Sequence, residues 1–102
     1  MRKRPILKDE CVSTKVGKYL KKRGMEVYVM PHGSSDYEVR RAGDELGAYI
    51  ITKDRGFNDY ENAFYVHGME NHNIYRSLKK LMDAEFDSNI HIGLPGERRV
   101  KK

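Results

Sequence analysis

Asp9, Asp36 and Asp54 are the residues whose type and placement could do chemistry together. Asp9 and Asp54 fall just after apolar runs and Asp36 opens the helix that follows another, with Glu10 and Glu38 as near neighbours. Carboxylates brought close together repel, and a hard divalent cation relieves that repulsion. Mg²⁺ or Mn²⁺ bound there would activate water and steady charge on a phosphate, so phosphodiester hydrolysis is the reaction that fits best. Lys53 and Arg55 flank Asp54, and Arg98 and Arg99 lie near the carboxyl end. All four are expected to contact a nucleic-acid backbone.

Each acid also has an ordinary explanation. Asp36 suits the positive end of a helix dipole, Glu38 completes a capping box with Ser35, and Asp9 and Asp54 are frequent turn formers. The capping role is preferred for Glu38, whereas for Asp9 and Asp54 the turn-forming and functional readings both stand at this point. His67 and His72 are expected on the surface or partly buried rather than as a metal pair. Tyr19, Tyr28 and Tyr49 are expected in the core, Tyr37 and Tyr60 near the acidic rim, and the lone Cys11 as a small buried hydrophobe.

The elements that must position these residues follow from periodicity. Pro5–Leu7, Val27–Met30, Ala48–Thr52 and Ala63–Val66 read as strands. The first helix has Ser13 as its cap, shows Val12, Val16, Tyr19 and Leu20 at helical spacing, and stops at Gly24. The second opens on Ser35, presents Val39, Ala42, Gly43 and Leu46, and stops at Gly47. Ile74, Leu78, Leu81 and Met82 mark a third helix ending near Phe86, and Ile90–Ile92 reads as a fifth strand or an edge. Apolar strands alternating with helices imply an α/β three-layer sandwich with a central, mainly parallel sheet of four to five short strands. Ligands of such sheets collect beyond the carboxyl ends of the strands, which is where Asp9, Asp36 and Asp54 are expected to converge. Residues 1–93 form one domain and residues 94–102 a basic, mobile tail.

The order Ile6-Leu7-Lys8-Asp9-Glu10, Ser35-Asp36-Tyr37-Glu38-Val39 and Ile50-Ile51-Thr52-Lys53-Asp54-Arg55-Gly56-Phe57 resembles the short PIN-like ribonuclease domains of toxin-type nucleases. The resemblance covers residues 5–85 in order and spacing. It implies a metal-dependent endoribonuclease in which Asp9, Asp36 and Asp54 bind Mg²⁺ or Mn²⁺. Two positions depart from the pattern. Cys11 stands where an Asn is usual, and Gly56 where a further Asp is usual, with Asp59 the nearest substitute. The alternative is therefore a non-catalytic nucleic-acid or protein binding module on a degenerate PIN-like fold.

Charge supports a polyanionic partner. Residues 1–23 carry nine Lys or Arg against two acids, residues 24–92 carry seven against twelve, and residues 93–102 carry four against one. An acidic centre between basic ends suits RNA or DNA; a homodimer or a protein partner also remains open. The longest apolar runs are four residues, far short of the ~20 of a membrane span, and no secretory apolar stretch follows the basic amino terminus. The expected setting is the cytoplasm. One cysteine allows no intramolecular disulfide.

Overall fold

Three short apolar strands after helix stops or turns, and one after Pro5, assemble the sheet. A computed structural model describes residues 4–57 and 59–92. It runs β1 (Ile6–Lys8), α1 (Thr14–Lys22), β2 (Val27–Val29), α2 (Asp36–Leu46), β3 (Tyr49–Thr52), a single 3₁₀ turn (Arg55–Phe57), β4 (Ala63–Tyr65) and α3 (Asn71–Ile92). The strand order is β2-β1-β3-β4 and every pairing is parallel. The α/β class expected from the sequence is the one observed, with four strands among the described residues.

Alternation along the central strands divides the core. Ile6, Tyr49 and Ile51 face one cluster with Val16 and Leu20 of α1 and Ile74, Leu78 and Met82 of α3. Leu7 and Ile50 face the other, with Val39 of α2 and Phe57. A period of two therefore feeds both faces of the sheet, which is why these strands read as continuous apolar runs. Helices begin and end where the local chemistry directs. Ser13 Oγ accepts from Lys15 N at 3.1 Å. Ser35 and Glu38 form a reciprocal capping box, and Gly47 closes α2 in the left-handed region at φ 65°.

Three expectations need correction. Ile90–Ile92 is neither a fifth strand nor an edge: the segment continues α3. Its β-branched residues carry a strand preference too weak to overcome propagation of a helix already under way. Tyr28 is 40% exposed rather than in the core, because β2 is an edge strand. Cys11 is exposed rather than buried, since Val12 fills the inward place of that turn at 1% exposure. The expected tail, 94–102, lies outside the described residues.

Candidate functional site: an acidic rim

Since β1, β2 and β3 run parallel, the segments leaving their carboxyl ends share one rim of the sheet. Asp9 follows Lys8 directly, Asp36 opens α2, and Asp54 lies two residues beyond Thr52. Thr52 joins the first and third of these. Its hydroxyl donates to Asp9 Oδ2 at 2.8 Å and accepts from the Asp54 backbone N–H at 3.0 Å. Asp9 is 7% exposed, and its other oxygen accepts from Glu10 N at 2.9 Å. The Cys11 thiol lies 3.6 Å from both Asp9 Oδ2 and Thr52 Oγ1 and accepts from Lys53 N at 3.2 Å.

Asp36 and Asp54 meet beside Gly56. A Cβ added to Gly56 would stand 3.2 Å from Asp54 Oδ1 and 3.4 Å from Asp36 Oδ2. Asp54 Oδ1 also accepts from Gly56 N at 2.9 Å, shaping the turn it begins. A pocket of about 80 Å³, lined by Thr52, Asp54, Phe57, Ala63 and Tyr65, adjoins this carboxylate.

The sequence-derived set is thus brought to one rim without being gathered into a cage. Among the described residues, no three His, Cys, Asp or Glu side chains form a group that could hold one metal ion. The expected three-carboxylate metal centre of Asp9, Asp36 and Asp54 is accordingly not preformed. Both Asp9 oxygens and Asp54 Oδ1 accept from internal donors, which fixes how these carboxylates lie on the rim. Asp59, the acid expected from the resemblance to stand in at Gly56, pairs with Arg40 at 2.7 Å. Glu38 is engaged in the capping box. Glu10 accepts from Gly33 N and contacts His32 Nδ1, both at 2.8 Å, and so fixes the loop that leads to Asp36.

Two supporting residues had little sequence signal. Arg40 donates to Gly56 O at 2.8 Å as well as to Asp59, tying the Asp54 loop to α2 and keeping Asp36 near Asp54. Lys8 is 2% exposed, with its stem 3.4 Å from the position a Gly17 Cβ would take and its ammonium donating to Val12 O at 2.6 Å. Burial pushes the Lys8 ammonium below its ordinary range, while the neighbouring Cys11 and Asp9 pull it back up. A glycine on the inward face of a helix beside a charged strand residue was the one clue to this packing.

The remaining sequence-derived residues are peripheral. Lys53 and Arg55 are exposed, and the Arg55 guanidinium lies 4.8 Å from the centre of the Tyr65 ring. Arg98 and Arg99 lie outside the described residues. His67 and His72 are exposed, as expected. Tyr37 is 69% exposed, and the Tyr60 hydroxyl donates to Asp44. Compared with protein families, curated proteins and solved structures, the chain finds no match in any of the three. The reading of this rim therefore rests on its own chemistry.

Proposed function

We propose that the protein is a metal-dependent endoribonuclease that hydrolyses RNA phosphodiester bonds at the rim formed by Asp9, Asp36 and Asp54. The observation that carries this reading is the approach of the Asp36 and Asp54 carboxylates to one point beside Gly56. Mg²⁺ characteristically takes one or two carboxylates, several waters and the substrate's own phosphate rather than an all-protein cage. A pair of acids is consistent with that mode even though no three-ligand group is present. A bound Mg²⁺ or Mn²⁺ would supply Lewis-acid stabilisation of the phosphate and a more acidic water. Asp36 and Asp54 would hold the ion. Asp9, fixed by Thr52, would add negative charge behind them and orient bound water. Lys53 and Arg55 would meet the substrate backbone.

Asp54→Asn tests this directly. Wild type should bind Mn²⁺ weakly by calorimetry and cut RNA slowly in its presence, and the variant should lose both while unfolding at a similar temperature. Cleavage by wild type that persists in EDTA, or that survives Asp54→Asn, would overturn the proposal. The second reading, a non-catalytic binding module, is favoured by the hydrogen bonds that already occupy Asp9 and Asp54 and by the carboxylate missing at Gly56. It becomes the better account if no divalent ion binds and no RNA is cut.

A further inference from the structure

The outer face of α1 carries a charge pattern that the acidic rim does not use. Lys15, Lys18, Lys21, Lys22 and Arg23 occur between Val12 and Met25 without a single acid. All five are exposed, and Val16, Gly17 and Leu20 take the inward side. Lys15, Lys18 and Lys22 follow one another at three- and four-residue spacing, a stripe about 10 Å long at ~1.5 Å per residue. Among the described ion pairs none involves these lysines. Arg23 is spent differently, its guanidinium lying 3.7 Å from the centre of the Tyr19 ring.

Such a stripe is costly to itself through mutual repulsion, and a polyanion relieves that cost. The class of polyanion follows from what α1 lacks. A membrane-surface helix inserts its apolar side, but here that side is buried in the core. A protein interface needs a desolvated apolar or aromatic anchor, and the exposed residues of α1 are Thr14 and the four lysines. Contacts to successive phosphates need neither. The stripe also starts at the acidic rim, since Val12 N bonds to Asp9 O at 3.0 Å and the helix begins two residues later.

We propose that the outer face of α1, through Lys15, Lys18 and Lys22, is the docking track for the phosphodiester backbone of a nucleic acid that reaches the Asp9–Asp36–Asp54 rim. This deepens the nuclease reading and rests on it only for the direction of the strand. The track is tested by fluorescence anisotropy with labelled single-stranded and duplex RNA and DNA, across a salt series in EDTA, so that no metal takes part. Lys15→Gln with Lys18→Gln and Lys22→Gln should leave folding intact by circular dichroism, because the sites are exposed and Gln is a comparable helix former. It should flatten the slope of log affinity against log salt by about 2 to 3, as three phosphate contacts and their counterions are lost. A charge-matched control, Arg41→Gln with Lys79→Gln and Lys80→Gln, should change the slope by much less.

The four nucleic acids identify which backbone is preferred. Failure of all four to bind at low salt overturns the proposal, as does an equal flattening in the control or an unchanged slope in the α1 variant. If binding tracks α1 but no RNA is cut with Mn²⁺, the nuclease reading falls and the docking track stands. If metal-dependent cleavage is intact and the α1 variant binds as wild type does, the track falls alone.

Discussion

A Cβ on Gly56 would touch both the Asp36 and the Asp54 carboxylate, and Gly56 is not among the described glycines with positive φ, which are Gly24, Gly33, Gly47 and Gly68. A side chain there meets crowding rather than backbone strain. Gly56→Asp would put a third carboxylate among Asp36 and Asp54, raising their mutual repulsion without a cation and strengthening divalent binding with one. The expected result is a lower unfolding temperature in EDTA that recovers on adding Mn²⁺, together with tighter binding by calorimetry. A variant that unfolds at the same temperature in both conditions would show that the three acids do not share a site. Arg40 matters at the same scale: it holds Gly56 O and Asp59 through one nitrogen, so the loop's position depends on a single guanidinium.

At the scale of elements, α2 lies on β3 through Gly43. A Cβ at Gly43 would stand 2.8 Å from Ile50 Cδ1 and 3.0 Å from its Cγ1, and Ile50 is fully buried. Overpacking of this kind costs typically about 1 to 3 kcal/mol, against ~1 kcal/mol that Ala gains over Gly in a helix. Gly43→Ala should therefore lower the midpoint of urea unfolding, and adding Ile50→Val, which removes Cδ1, should recover part of the loss. A midpoint raised by Gly43→Ala alone would mean that α2 shifts freely on the sheet. The elements were legible in the sequence where local chemistry decided them: Ser35 with Glu38 and Gly47 bracket α2, and the apolar runs mark all four strands. What failed was decided by neighbours. Tyr28 looks like core until its strand is known to be an edge. Ile90–Ile92 looks like a strand until α3 is seen to run through it. Strand ends placed Asp9, Asp36 and Asp54 on one rim, but only folding shows that Thr52, Glu10 and Arg40 hold their surroundings.

For the molecule as a whole, the buried ionisable groups shape the response to alkali. Lys8 has a lowered pKa from burial, so between that value and the ordinary 10.5 the unfolded chain holds the proton that the folded chain has released. Stability then rises with pH across that window, because the unfolded state binds more protons. Tyr49 and Tyr60 act in the opposite direction. Burial first, and then hydrogen bonds to Glu85 and Asp44, push both phenols from 10 up to about 12. Between those values the unfolded chain loses protons that the folded chain keeps, and stability falls as pH rises. The net charge of +5 at pH 7 also shrinks toward the isoelectric point near 9.4, which eases self-repulsion as pH rises. Urea unfolding measured from pH 7 to 11.5 should therefore show stability rising to about pH 10 and falling above it. Lys8→Met keeps a stem of similar volume but removes the proton, and so separates the two contributions to the rise. Its profile should climb less steeply below pH 10 and fall like wild type above it, whereas Tyr49→Phe should leave the rise intact and soften the fall. A Lys8→Met profile parallel to wild type throughout would mean that net charge alone produces the rise and that burial of Lys8 costs the fold nothing.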